Sequence, residues 1–286
     1  ESLARLWLTS EPAQGWLFLP RRVHIKGVQR LHRPFFNLLA PEMPVSLLRE
    51  PVAVERLVIP GQGFGLGAIA RGTDVPVLVD GSQAAVHMPI DVAALGCDFY
   101  CITGHKLYGP SGSGAMWIRR DRQAEMRPFL GGGDMIRTVT RDAVDYADPP
   151  LRFEAGTPGI VNQIGLGAAL EYLMGLGMEN VAAHERALRD RARDRLRSLN
   201  WLSVQGDSPD KGAIFSMTMQ GAHAHDLSTI LDKRGIAVRA GSHCAMPLMQ
   251  HYGIAASARA SFAMYNTRDE VDALVSGLEF CRELFA

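Results

Sequence analysis

No stretch of this 286-residue sequence stays apolar for the roughly 20 residues that a membrane-spanning helix needs. An excess of charge is missing too. Thirty Lys and Arg offset 30 Asp and Glu, so no global field draws in nucleic acid, acidic ligands or an anionic bilayer. The expectation is no nucleic-acid partner and no membrane. Cysteine is scarce: Cys97, Cys101, Cys244 and Cys281 are the four, and none forms a C-x-x-C pair. That argues against a zinc ribbon or a thioredoxin-like centre, and four cysteines in a chain this long do not suggest a disulfide framework. They read as reduced thiols. At the start, Glu1-Ser2-Leu3 lacks an initiator Met and any charged segment leading into an apolar one. The chain reads as cytoplasmic, with its beginning lost.

What is there is the composition of an ordinary globular protein, with enough apolar material for one large domain or two modest ones. Residues 1–73 stand apart. They hold no Asp, Cys or Tyr, nine Lys/Arg against five Glu, and prolines at 12, 20, 34, 41, 44, 51 and 60. No helical or alternating period persists there. Gly61-Gln-Gly-Phe-Gly-Leu-Gly67 resembles a phosphate loop only superficially: it lacks the G-x-G-x-x-G spacing and follows a proline. It reads as a flexible connector.

From Val75 the pattern clears. Val75–Val79 is a short β-branched run ending in Asp80-Gly81, as a buried strand of a parallel sheet should. Asp98–Thr103 is a second, ending at Gly104-His105-Lys106, and Gly114–Arg119 a third. Strands that run straight into polar residues are the α/β pattern, in which ligands gather at the carboxyl ends. Helices are expected over about 162–176 and 179–199; the arginines of the second, interleaved with acidic residues, describe a solvated face. Beyond Trp201 the order is strand 212–219, helix 227–234, strand 236–239, then a last helix opening on the apparent capping box Thr267-Arg-Asp-Glu270. His223-Ala-His225-Asp226 has no third metal ligand nearby, and Asp226 reads as a helix cap. The texture divides the chain into 1–73, a large-domain remainder at 74–175, and a small C-terminal domain at 176–286.

Two local signals carry chemistry. Thr103-Gly104-His105-Lys106 closes a strand, 23 residues after Asp80. An amine so placed can act as an imine-forming nucleophile, and an acidic residue on a neighbouring strand end is what a pyridine nitrogen needs to stay protonated. The other is Arg239-Ala-Gly-Ser-His-Cys244-Ala-Met-Pro-Leu248, a cysteine in a Gly/Ser loop beside a histidine and an arginine. That setting is electropositive and suits a reactive sulfur. Cys97, Cys101 and Cys281 lie in apolar patterns and read as packing residues.

Six segments in order complete the reading. Val79-Asp80-Gly-Ser-Gln83, Thr103-Gly-His-Lys106-Leu-Tyr-Gly-Pro110, Gly131-Gly-Gly133, Phe153-Glu-Ala-Gly-Thr157-Pro158, Arg239–Pro247 and Arg259-Ala-Ser-Phe-Ala-Met-Tyr-Asn266 resemble the motifs of group II (Suf-type) cysteine desulfurases, in the class V aminotransferase superfamily. The resemblance runs from about Val75 to Ala286. It implies an α/β fold, the pyridoxal-phosphate-dependent transferase fold type I. Here that fold would be incomplete, a partial large domain with a mainly parallel sheet plus a small C-terminal α/β domain. It implies pyridoxal 5′-phosphate as cofactor, with Lys106 holding it and moving the substrate's α-proton. Asp80 would face the pyridinium nitrogen and Gln83 the phenolic oxygen, with Thr103 and His105 on the phosphate and Thr157 reaching it across a dimer interface. Arg259 would clamp the substrate carboxylate with Arg239 close by, and Cys244 would take the sulfur as a persulfide. The implied reaction converts L-cysteine to L-alanine in a homodimer that hands sulfur to an acceptor protein for iron–sulfur cluster assembly. L-selenocysteine is the alternative substrate, as in a selenocysteine lyase, and a catalytically impaired remnant is the alternative fate.

The first 73 residues do not carry the family's pattern. A ring-stacking histidine in an acidic-His-His setting, an asparagine in a Ser-Asn-x-x-Gly context and a Gly-Thr-Thr phosphate turn are expected there. His24 and His32 lack those neighbours. The abrupt onset of matching near Val75 suggests a disrupted reading frame upstream, with a divergent domain as the alternative.

Overall fold

The computed structural model describes residues 76–206 and 208–285. The expectations for residues 1–73, including His24, His32 and the glycine-rich 61–67 segment, lie outside the described residues. The chain divides into two compact units between Met178 and Glu179.

In the first unit, β1 (Leu78–Asp80), β2 (Phe99–Thr103) and β3 (Gly114–Ile118) form a sheet in the order β1-β2-β3. Connection lengths set its directions. β1 and β2 are joined by residues 81–98, which hold a 3₁₀ turn and the short helix α1 (Val92–Leu95), room enough for a parallel crossover. Only residues 104–113 join β2 to β3, too few for a crossover, so β3 returns antiparallel. The described sheet is thus mixed, and the parallel arrangement expected from sequence belongs to the β1–β2 pair. Val77, Val79, Tyr100 and Ile102 are buried, as the apolar runs require. Asp98, buried, accepts the Val77 N–H and pairs with Arg119 and Arg122 at 2.9 Å each, so its charge is met on both oxygens.

Next come α2 (Arg120–Glu125), an exposed hairpin of β4 (Ile136–Val139) and β5 (Val144–Tyr146), and α3 (Ile160–Leu176). α3 buries Leu166, Leu170 and Leu173 at helical spacing. The helix α4 (Met178–Arg197) starts at the division between units, and its arginines pair with acids as a solvated face should: Arg189 with Asp190, Arg191 and Arg195 with Asp272.

The second unit is a four-stranded antiparallel sheet in the order β6-β7-β9-β8 (Leu202–Gln205, Ile214–Met219, Ser257–Ser261, Arg239–Gly241). Its core joins Phe215, Met217, Ala258 and Ala260 of the strands to Leu188, Ala192 and Leu196 of α4, Leu227 and Leu231 of α5 (Ala224–Asp232), and Val271, Leu274, Leu278 and Cys281 of α7 (Arg268–Leu284). The short α6 (Met246–His251) carries Pro247 in its first turn, where a missing N–H costs nothing. The capping box forms as the sequence predicts, with Thr267 and Glu270 exchanging side-chain-to-backbone bonds. One cap differs. α5 is capped by His223, whose Nδ1 accepts from the His225 N–H at 3.3 Å, while Asp226 sits in the first turn, where a negative charge meets the helix dipole.

Candidate active site

Four of the expected cofactor residues occupy the carboxyl edge of the β1–β2 pair. Asp80 is in register with Cys101 and so ends β1 level with the middle of β2. Two residues later Thr103 ends β2, and the chain enters a 3₁₀ turn at Gly104–Lys106. Adjacent strands lie about 4.8 Å apart, so Asp80 and the Thr103–Lys106 turn share one edge. Asp80 is oriented by the Ser82 N–H, which its Oδ1 accepts at 2.9 Å. Thr103 Oγ1 and His105 Nδ1 lie 3.2 Å apart, a hydroxyl and an imidazole sharing one hydrogen bond. Lys106 is half-buried, whereas Gln83 is exposed at the mouth of the 3₁₀ turn after β1.

Two glycines fix this edge. A Cβ on Gly81 would lie 1.9 Å from the Tyr100 ring, and one on Gly104 would lie 1.9 Å from Ser113 Oγ. The Gly104 carbonyl accepts from Leu107 and Gly109, its N–H donates to the Ser113 carbonyl, and Ser113 Oγ donates to the Pro110 carbonyl. The lysine therefore leaves a turn whose backbone is bonded on every side. The hydroxyl of Tyr100, whose ring packs against Gly81, is buried with no hydrogen-bond partner among the described residues. Burial pushes this phenol far above its ordinary range, with nearby Cys97, Asp80 and Cys101 adding to the effect.

Elsewhere in the same unit two further motifs meet. The Gly156 N–H donates to the Gly133 carbonyl at 3.0 Å, and a Cβ on Gly132 would sit 2.8 Å from the Gly156 nitrogen. Thr157 follows Gly156 and is exposed.

The second unit gathers Arg239, Cys244 and Arg259. β8 and β9 pair antiparallel with Arg239 directly opposite Arg259, so both guanidinium side chains leave the same face of the sheet. Like charges opposite each other are unfavourable unless an anion lies between them. After β8 the chain turns at Gly241, whose φ of 131° suits glycine, and then holds His243 (φ 54°) and Cys244 (φ 60°) in the left-handed region. Such residues cost on the order of 1–2 kcal/mol each, so neighbouring contacts must hold them. Two are present. An Arg239 guanidinium N–H donates toward Cys244 Sγ at 3.7 Å. His243 Nε2 lies 3.0 Å from the Ser257 carbonyl and 2.9 Å from Ser257 Oγ. Cys244 is exposed.

Burial lowers the His243 pKa below its ordinary value. The Arg259 charge lowers it further, the Ser257 carbonyl opposes this, and Arg239 adds a smaller lowering. The other three thiols are packing groups, as the sequence indicates. Cys97 is buried and pushed up to about 11, and burial also raises Cys101 and Cys281. Sequence reasoning missed Ser257 and the Tyr100 hydroxyl. A serine in Ala-Ala-Ser-Ala-Arg carries no signal until the pairing of β9 with β8 is known.

The donors at the β1–β2 edge fit a phosphorylated pyridine aldehyde by their chemistry. A carboxylate stands at one strand end, and an amine, a hydroxyl and an imidazole stand at the next, beside a close-packed glycine turn.

Comparison with known proteins agrees. The family model for aminotransferase class-V matches residues 64–274. A protein of Xylella fastidiosa (strain 9a5c) named probable cysteine desulfurase is 47% identical over 215 residues, covering 75% of this chain and 52% of that protein. The crystal structure of the Escherichia coli cysteine desulfurase CsdA matches with a TM-score of 0.72 at 39% identity, covering 77% of this chain and 54% of that one. A C-DES variant with glycine covalently linked to its pyridoxal phosphate cofactor matches at 25% identity with a TM-score of 0.60, covering 74% of this chain and 54% of that one. The chain spans about half the length of the curated relatives it matches. On the extent of the family match, this chain belongs to the aminotransferase class-V family.

Proposed function

We propose that this chain carries the lysine and cysteine machinery of a pyridoxal-phosphate-dependent cysteine desulfurase, converting L-cysteine to L-alanine and leaving a persulfide on Cys244. The observation that carries the reading is the composition of two clusters, one in each unit. One holds a carboxylate and an amine at adjacent strand ends. The other holds an exposed cysteine beside one of two opposed arginines.

Pyridoxal phosphate, when bound, supplies an electron sink next to the substrate's Cα. Lys106 would hold the cofactor through its amine, the same amine that is placed to take the proton from the substrate's Cα. Asp80 keeps the ring nitrogen protonated, and its orientation is already fixed by the Ser82 N–H. Gln83 donates to the cofactor's phenolic oxygen, while Thr103 and His105 bind the phosphate. Thr157 reaches the phosphate of a second copy in a homodimer. Arg259 forks onto the substrate carboxylate, with Arg239 opposite sharing that charge and steadying the sulfur of Cys244. The Cys244 sulfur then attacks the substrate sulfur: an S–S bond forms, the C–S bond breaks with its electron pair left on Cβ, and a proton on Cβ together with the one Lys106 returns to Cα completes alanine. The matched relatives' names support cysteine as substrate. In this reading the enzyme is cytoplasmic and divided at 74–175 and 176–286, and it hands its sulfur to an acceptor protein for iron–sulfur cluster assembly.

A titration tests this. The full chain mixed with pyridoxal phosphate should develop a visible absorption band that Lys106→Ala lacks. Cys244→Ser should keep the band and lose alanine release from cysteine by orders of magnitude. A wild-type chain without the band, or alanine release that survives Cys244→Ser, overturns the proposal.

A further inference from the structure

We infer that His243 is a positioning residue for the reactive cysteine: its ring N–H, tied to Ser257 on the neighbouring strand, holds the left-handed loop that sets Cys244 against Arg239. The inference rests on the proposed role of Cys244, but its test does not need the cofactor or turnover.

The tautomer follows from the partners. A carbonyl oxygen only accepts, so His243 Nε2 must carry a hydrogen to lie 3.0 Å from the Ser257 carbonyl; Ser257 Oγ, at 2.9 Å, shares that hydrogen. Nδ1 then carries only a lone pair, and it is buried with no hydrogen-bond partner among the described residues. Burial and the flanking Arg239 and Arg259 all favour this neutral form.

Mechanically the tie spans two strands. Ser257 is wholly buried in β9 and opposes Gly241, the last residue of β8. The chain leaves β8 at Gly241 and returns to this anchor two residues later, so residues 241–243 form a short closed loop pinned at both ends. Cys244 is the next residue, and its φ of 60° belongs to the turn that the Ala245 N–H closes on the Ser242 carbonyl, a turn that His243 ties to β9. Arg239, on β8 before the loop, then meets the sulfur at 3.7 Å. The Ala245 N–H closes the turn on the Ser242 carbonyl at 2.9 Å, with His243 and Cys244 as its two central residues, and the tie to Ser257 is what fastens that turn to β9. Without the tie the turn swings free of the strand and the sulfur withdraws from Arg239. The same guanidinium is where charge on the sulfur is met during attack, so loosening the loop slows the sulfur as a nucleophile.

Alkylation by iodoacetamide at pH 7.5, followed cysteine by cysteine with peptide mass spectrometry on the full chain, tests this. Cys281, buried in the core of the same unit, reports folding by staying unlabelled. His243→Ala should slow Cys244 labelling about fivefold, to the level of Arg239→Ala, and the double variant should be no slower than Arg239→Ala alone. His243→Gln, whose amide N–H reaches as far as Nε2, should restore the rate to within about twofold. A His243→Ala variant that labels Cys244 at the wild-type rate overturns the inference, as does a double variant slowed multiplicatively. Should His243→Ala expose Cys281, His243→Gln decides: labelling as slow as in Arg239→Ala overturns the anchor role. None of these outcomes depends on whether the chain turns over cysteine.

Discussion

The two clusters are built on opposite principles. At the β1–β2 edge, Asp80, Thr103 and Lys106 are presented by regular strands and a turn whose backbone groups are bonded to one another. Placement there comes from close packing: Gly81 under the Tyr100 ring, Gly104 against Ser113. At the β8–β9 edge, Cys244 is exposed and sits in a backbone conformation its residue type disfavours, held by one turn hydrogen bond, one guanidinium and one imidazole. A group that must hold a cofactor in one orientation gains from rigidity. Under the proposed function the sulfur receives an atom and then gives it away, which needs exposure, and the local stability spent on it is lower.

The comparison breaks first at Gly81. In Gly81→Ala the added methyl meets the Tyr100 ring, and relieving that overlap should cost about 1–3 kcal/mol. Hydrogen exchange should show it as lost protection of the β1 and β2 amides, with β7 and β9 of the other unit unchanged. Tyr100→Leu on the same background should recover most of it by removing the ring. Unchanged protection in Gly81→Ala would mean that this edge is as pliant as the cysteine loop.

The opposite sign is expected at Cys244. Glycine has no Cβ to strain at a φ of 60°, so Cys244→Gly should raise thermal stability by about 1 kcal/mol relative to Cys244→Ala. Stability gained by deleting the reactive residue is the signature of strain kept for function. Equal melting of the two variants would show the loop to be unstrained.

How much of this could be read from sequence follows the same divide. The β1 and β2 runs were legible because buried parallel strands are continuously apolar and end abruptly, at Asp80 and at Thr103-Gly104-His105-Lys106. The capping box of α7 was legible because Thr267 and Glu270 act within one turn. β9 was not. Ser257-Ala-Arg-Ala-Ser261 has no β-branched or aromatic residue, and only its place between β7 and β8 makes it a strand. Its register is what puts Arg259 opposite Arg239 and Ser257 within reach of His243, so the cysteine loop's support was invisible even though Cys244 itself was singled out. β3 was visible as a strand but not in direction, which depends on the ten-residue connection before it rather than on its composition. The cap of α5 was misassigned to Asp226 because His223 is a rarer cap than an aspartate, and which residue closes the helix depends on the backbone turn.

The smallest effect separates the two edges by pH. His243 has a folded-state pKa below its ordinary value of 6.5, so the unfolded chain binds its proton first as pH falls. The unfolded state therefore holds more protons in this window, and stability rises with pH across it. The contribution is fully present above about 6.5 and is lost as pH falls from there toward the lowered folded value. One proton sets a ceiling of about 1.4 kcal/mol per pH unit, and a half-buried ring reaches only part of that. Glu270 and Asp272 also lose stability with falling pH because Thr267 and Arg191, respectively, hold their carboxyls low, but their windows open below their ordinary values of 4.5 and 3.8. Hydrogen exchange of β9 amides between pH 7.5 and 5.5 should therefore show a decline in opening free energy, while the β2 amides stay flat. His243→Gln cannot titrate and should flatten the β9 curve while keeping the tie to Ser257. A β9 decline that persists in His243→Gln would assign the pH dependence to another group and remove the imidazole as the feature that distinguishes the two edges.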